Sequence, residues 1–237
     1  MLKIPGYQIQ TKIHESANSI VYQGIRTLDN LPVIFKVLKK DYPTPEDITR
    51  YKVEYEITRS LSMAGVIQAY DLQQVKSNFT IILEDFGAES LAKIMNTRRF
   101  TLTEFLKLAM QITAILSEIH GANIIHKDIN PSNIVLNLET QQLKIIDFGI
   151  ATALPRETPT SKNPTILEGT LAYISPEQTG RMNRSLDYRT DFYSLGATFY
   201  QMLTNRLPYE TNDALELIHY HLALEPIAPH VINPEIP

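Results

Sequence analysis

The stretch Ile125-His126-Lys127-Asp128-Ile129-Asn130-Pro131-Ser132-Asn133, followed by Ile145-Ile146-Asp147-Phe148-Gly149, decides how this chain is read. It sets two carboxylates and an amide in polar loops bounded by apolar residues. One carboxylate in such a loop can accept a proton from a hydroxyl nucleophile. The amide and the second carboxylate are hard oxygen ligands of the kind that hold Mg²⁺ against a nucleotide phosphate. Between the two acids, residues 134–138 and 143–146 read as short strands joined by a turn, which can bring Asp147 back towards Asp128. Taken singly, D-x-x-x-x-N and D-F-G are weak signals, because polar loops and strand-ending turns produce both.

Upstream, residues 7–14 and 19–26 alternate apolar and polar side chains at period two, the pattern of half-buried strands. Residues 31–38 form an apolar run broken by Pro32 and Lys36. A lysine inside a buried strand is costly without an anionic partner; the alternative is an edge strand with Lys36 pointing outward. Residues 46–63 read as a helix, with Ile48, Tyr51, Tyr55, Ile57 and Leu61 as its apolar stripe. Glu54 is the candidate partner for Lys36. Glu56 stands about 200° further round the helix, so only one of the two can face that lysine. Residues 66–75 and 78–84 read as a hairpin, and 85–89, with Gly87, as a boundary.

Beyond that boundary the periodicity turns helical. Residues 103–120 carry a broad apolar face (Phe105, Leu106, Leu108, Ala109, Ile112, Leu116, Ile119), ended by Gly121 and Asn123. Residues 150–170 have the composition of a mobile loop. Residues 191–203, rich in Phe192, Tyr193, Leu195, Phe199 and Met202, are expected to be buried on most sides. Residues 214–224 form a last amphipathic helix, and 226–237, with four prolines, no further element. His14, His219, His221 and His230 read as surface or satisfied histidines.

The chain has 237 residues, of which 43% are hydrophobic and 20% charged, enough for one large domain or two lobes. A net charge of −4 gives no basic footprint for nucleic acid and no polybasic membrane patch. The absence of cysteine removes disulfides, thiolate metal sites and cysteine nucleophiles. No apolar run reaches the ~20 residues that span a bilayer, and the N-terminus lacks a secretory core, so a cytoplasmic domain is expected.

The order of these features resembles the protein kinase family over roughly residues 7–224. The marks are Val33-Ile34-Phe35-Lys36, His126-Lys127-Asp128 with Asn133, and Asp147-Phe148-Gly149. Gly169-Thr170, Ser175-Pro176-Glu177 and Asp191-Phe192-Tyr193-Ser194-Leu195-Gly196 follow them. The resemblance implies an α+β, two-lobed kinase-like fold. Residues 1–84 would form an N-lobe of antiparallel sheet plus one helix, 85–90 a hinge, and 91–237 a mainly helical C-lobe lacking its last helices. Glu177 would then lack the arginine it normally pairs with.

The resemblance also implies ATP and Mg²⁺ as ligands and a Ser/Thr-bearing protein as substrate. Lys36, Asp128 and Asn130 stand at the catalytic positions, and Asn133 and Asp147 at those that hold metal. Ile13, Val21, Ile34 and Val135 match the walls around the base. Lys36 and Glu54 match the phosphate-binding pair, and Leu83, Glu84 and Phe86 the hinge. Thr170 and Tyr173 match the peptide-seating segment, and Asp191 the brace of the catalytic loop. The H-K-D-I-N-P-S-N form is similar to a bacterial subgroup whose kinase-like domain heads a large sensor protein with ATPase, sensory and histidine kinase modules.

The chain departs from the family pattern in three respects. The glycine-rich loop holds His14, Ser16 and Ser19 where glycines are usual, Asn130 replaces a lysine, and Lys127 replaces an arginine. They open an alternative, a kinase-like regulatory module that binds nucleotide or a partner without transferring phosphate. A small-molecule phosphotransferase of related fold would share the acids, but not the segment from Gly169 to Glu177.

Overall fold

The structure, a computed structural model, describes residues 3–40, 42–75, 78–153, 168–181 and 185–237. Its contacts divide the chain into two compact units: Met1–Ala88 together with Asp147–Gly149, and Glu89–Ile146 together with Ile150–Pro237.

In the first unit, β1 (Tyr7–Glu15), β2 (Ser19–Arg26) and β3 (Pro32–Leu38) precede a helix, α1 (Pro45–Ser60), and β4 (Ala69–Val75) and β5 (Asn78–Glu84) follow it. The strands form one antiparallel sheet in the order β1-β2-β3-β5-β4. Strand β3 therefore lies between β2 and β5, which excludes the edge-strand alternative for Lys36. Alternation along β3 divides its side chains between the two faces. Val33, Phe35 and Val37 pack with Ile4 and Ile82, while Leu38 packs with Tyr51 and Tyr55 of α1 and with Phe79 and Ile81. Lys36 shares its face with Leu38, the side covered by α1. The helix starts where Thr44 and Asp47 cap each other's backbone N–H groups, at 3.2 and 2.9 Å, with Pro45 in the first turn.

In the second unit, β6 (Glu89–Ser90) and α2 (Leu91–Thr97) lead into α3 (Leu102–Gly121), β7 (Ile124–Ile125), β8 (Ile134–Leu136), β9 (Leu143–Ile145) and β10 (Thr152–Ala153). After short 3₁₀ turns at Leu171–Tyr173 and Pro176–Thr179 come α4 (Arg189–Thr204), α5 (Ala214–Ala223) and α6 (Pro229–Ile232). The loop that holds Asp128 joins β7, which pairs with β10, to β8 of the three-stranded sheet β6-β8-β9. α3 is capped reciprocally by Thr101 and Glu104 and ends with Asn123 in the left-handed region, φ 59°.

Three expectations need correction. On α3 the buried stripe is Phe105, Leu108, Ile112, Leu116 and Ile119, whereas Leu106 is 52% exposed, because it stands about 100° round the helix from Phe105. On α4 the buried face includes Thr190, Asp191, Ser194 and Thr198 as well as Leu195 and Met202, and Phe192 is 48% exposed. Residues 226–237 do form an element, α6, anchored by Tyr200 Oη donating to the Ile227 carbonyl and Asn233 Nδ2 to the Leu203 carbonyl. Glu177, expected to lack an arginine, accepts the Thr190 hydroxyl at 2.8 Å. The loop expected at residues 150–170 falls mostly on residues 154–167, outside the described residues.

Candidate active site

In the first unit, β3 aims Lys36 at the helix and α1 presents Glu54 on its buried face, whereas Glu56 is exposed. Lys36 Nζ lies 2.5 Å from Glu54 Oε1 and 2.8 Å from Asp147 Oδ1. The Tyr51 hydroxyl of α1 donates to the Lys36 carbonyl, which ties strand to helix beneath the ion pair. Burial works against the Lys36 charge, but the Asp147 and Glu54 carboxylates outweigh it and raise the pKa above the usual lysine value. One ammonium cannot fully neutralise two acids. Burial pushes the Glu54 carboxyl up to about 7, with Asp147 acting in the same direction and Lys36 opposing both. Asp147 has φ 66°, a conformation that short polar side chains tolerate best, and its Oδ1 also accepts the Gly149 N–H at 3.2 Å. A Cβ on Gly149 would stand 3.1 Å from that oxygen and 3.2 Å from Glu54 Oε2, so the turn is shaped around the two acids.

Of the residues expected to wall a base, Val21 pairs directly with Lys36, and Ile34 pairs with Leu83. Directly opposed residues share a face, so Val21, Ile34 and Leu83 lie on the Lys36 side of the sheet. Ile13 sits at an irregularity in the β1–β2 pairing and is 52% exposed. Glu84 ends β5, where its N–H donates to the Gln68 carbonyl at 2.9 Å, and Phe86 follows, partly buried. The glycine-poor turn closes without any left-handed residue among 14–19. Ser16 Oγ accepts the N–H groups of Asn18 and Ser19 at 3.3 and 3.1 Å, and the Ser16 N–H donates to the Ser19 carbonyl at 2.9 Å.

In the second unit the Asp128 carboxylate is held from two sides. Its Oδ2 accepts Asn133 Nδ2 at 2.9 Å, and its Oδ1 accepts the Thr170 N–H at 2.9 Å. Asn133 is buried and also donates Nδ2 to the Asp128 carbonyl at 2.9 Å; both bonds use its nitrogen, and its oxygen is the atom with metal-ligating chemistry. Asn130, 3% exposed, donates to the Asp128 carbonyl at 3.1 Å and to Thr170 Oγ1 at 3.4 Å, and accepts the Ser132 N–H at 2.9 Å. Val135, on β8, is partly buried and pairs with Ser90 and Lys144.

Beneath the loop lies Asp191, fully buried. It accepts the backbone N–H groups of His126 and Lys127, at 2.9 and 2.7 Å, and lies 2.8 Å from His120 Nε2. The Lys127 side chain is mostly buried and stands 3.9 Å from Glu168; burial lowers its pKa, with Glu168 and Asp191 opposing. Tyr173 donates its hydroxyl to Gln201 Oε1 at 2.5 Å.

A carboxylate oriented by an amide in the second unit, and a buried lysine clamped by two acids in the first, are each a kind of group that phosphoryl transfer uses. The model of the protein kinase domain matches residues 7–230. The chain belongs to the protein kinase family. The kinase domain is 29% identical over 233 residues to a probable serine/threonine-protein kinase of Clostridium acetobutylicum, covering 98% of this chain and 35% of that protein. It is 30% identical over 236 residues to a probable serine/threonine-protein kinase of Streptomyces coelicolor, with 97% and 35% covered. It is 29% identical over 233 residues to the serine/threonine-protein kinase PrkC of Bacillus subtilis, with 98% and 35% covered. The chain thus spans about a third of the length of these relatives.

For a kinase domain the donor atoms suit Mg²⁺. Asp147 in the first unit and Asn133 in the second each carry an oxygen of the kind this cation takes, and it ordinarily keeps several waters beside one or two protein groups. No cluster of three or more His, Cys, Asp or Glu able to hold a metal occurs among the described residues. No helix among them is long and apolar enough to cross a membrane. Sequence reasoning missed two supports of the loop, the Asp191–His120 contact and the donation from Gln178 to the Lys127 carbonyl at 2.9 Å. Both residues sit among many look-alike polar positions, and no spacing rule singles them out.

Proposed function

We propose that this kinase domain transfers the γ-phosphoryl group of Mg-ATP to serine or threonine hydroxyls of protein substrates in cytoplasmic signalling. The observation that carries the reading is the Asp128 carboxylate, oriented by Asn133 and by the Thr170 N–H. Fixed in this way, it can accept the proton of a substrate hydroxyl as that oxygen attacks phosphorus. Lys36, kept protonated by Asp147 and Glu54, supplies a cation for nucleotide phosphates. Asn133 and Asp147 would hold Mg²⁺, which shields phosphate charge when bound. The names of the relatives support Ser/Thr as the acceptor class. Thr170 and Tyr173, close to Asp128 in the chain fold, would seat the peptide.

A second reading, a nucleotide-binding regulatory module, is favoured by one observation. Beside Asp128 the chain places the neutral Asn130 amide, bonded to Thr170, where a cation would steady the transferring phosphate. Phosphoryl transfer from γ-labelled ATP separates the two. Transfer that Asp128→Ala abolishes supports the kinase, and tight nucleotide binding without transfer supports the module.

A further inference from the structure

The residue before the candidate base has an unusual backbone. Lys127 has φ 68°, a region that costs a non-glycine residue roughly 1–2 kcal/mol. Such a conformation persists only where its surroundings hold it. The Lys127 N–H is taken by Asp191 at 2.7 Å. The next peptide unit, joining Lys127 to Asp128, is held at both edges. Its N–H donates to His126 Nδ1 at 3.2 Å, and its carbonyl accepts Gln178 Nε2 at 2.9 Å. Gln178 is 3% exposed and uses both ends of its amide, since Oε1 accepts the Ser175 N–H at 3.1 Å. A Cβ on Gly169 would stand 3.2 Å from the same Lys127 carbonyl, so the segment that delivers the Thr170 N–H to Asp128 passes close by.

Capping the Ser175 turn needs only an acceptor, which a glutamate could supply. A donor at Nε2 is needed for one purpose, to fix the plane of the Lys127–Asp128 peptide. Rotating that plane would swing Asp128 away from Asn133 and Thr170. We propose that Gln178 is a positioning residue for phosphoryl transfer, acting through the Lys127 carbonyl on the orientation of Asp128. The inference rests on the kinase reading for its rate effect and on geometry alone for its structural effect.

The test uses the 237-residue chain with Gln178→Glu, which keeps the acceptor and removes the donor, and Gln178→Met, which removes both. Each is made alone and with Asp128→Asn. Because an ångström of misplacement costs up to about 100-fold, kcat is expected to fall roughly 10- to 100-fold in both single variants. Affinity for a fluorescent ATP analogue should stay within about twofold. In the Asp128→Asn background neither change should lower the residual kcat further, because the orientation it guards no longer matters. Unchanged kcat in the single variants, or an equal fall in the Asp128→Asn background, overturns the proposal. Amide ¹H–¹⁵N resonances of Asp128 and Thr170 give a readout that needs no catalysis. If the unaltered chain transfers no phosphate, the kinase reading fails. The positioning claim then stands or falls on whether those two resonances move in the Gln178 variants. Should Gln178→Glu lose the dispersed spectrum of a folded chain, Gln178→Met carries the comparison.

Discussion

Lys36 and Glu54, eighteen positions apart in sequence, meet at 2.5 Å inside the first unit, with Asp147 as a second acid on the same ammonium. Burial and Asp147 raise the Glu54 carboxyl to about 7, against the pull of Lys36. Its folded pKa thus lies above the unfolded value of about 4.3. The favourable contribution of Glu54 to folding is complete below that unfolded value and is lost as pH rises towards 7. The working ion pair has the opposite preference, because only ionised Glu54 can hold Lys36. The prediction is an acidic limb near pH 7 in the pH profile of kcat/KM for ATP, which Glu54→Gln removes while lowering the plateau. An unchanged acidic limb in Glu54→Gln would assign it to another group.

Asp191 accepts two backbone N–H groups in a fully buried place. Asp191→Ala leaves both unsatisfied, at about 1–3 kcal/mol each. With about 2–4 °C per kcal/mol for a chain of this size, Tm should fall by roughly 5–20 °C, and transfer should be lost as Lys127 relaxes. Calorimetry that shows a Tm within a degree of the parent would contradict the brace.

Gly24 is buried on β2, where a Cβ would stand 2.2 Å from the Gln8 carbonyl oxygen and 2.8 Å from Phe35 Cε2. The first atom is backbone and cannot swing aside. Gly24→Ala should destabilise by about 1–3 kcal/mol, the usual cost of overpacking, read as a lower urea midpoint. No shift would mean that β1 can separate from β2 freely.

His221 lies buried beside Tyr193, whose hydroxyl is 2.8 Å from its Nδ1, and beside the Tyr209 ring at 5.1 Å. Burial lowers its pKa, opposed by the Leu171 backbone. A base whose folded pKa is depressed stabilises above the unfolded value of about 6.5, and loses that contribution as pH falls. The stability gap between the parent and His221→Gln should therefore narrow between pH 7.5 and 5 in denaturant titrations. A constant gap would remove His221 from the pH dependence.

The strand and helix periods announced most of the architecture, and the ordered motifs from Lys36 through Asp128 to Asp147 announced the family. That Glu54 and Glu56 cannot both face Lys36 was legible because a helix turns each residue by a fixed angle, and the structure buries Glu54 and exposes Glu56. What stayed hidden was polar burial. Hydrophobicity pointed to Phe192 as core, yet beside Asp191 α4 also turns Thr190, Ser194 and Thr198 inward, where they supply hydrogen bonds. Gln178 was invisible for the same reason, since its value depends on a carbonyl 51 positions away. Likewise the serine turn at 16–19 replaces glycine freedom with side-chain hydrogen bonds, which composition alone does not disclose.

The central claim is that Asp128, held by Asn133 and Thr170, serves as the base of phosphoryl transfer. Its most direct test is the initial rate of phosphate incorporation from γ-labelled ATP with Mg²⁺ into a Ser/Thr-rich protein acceptor, for the parent chain and for Asp128→Asn. The account predicts a rate in the parent that falls about 10²- to 10⁴-fold in Asp128→Asn, with nucleotide affinity retained. Equal rates in the two proteins would contradict it.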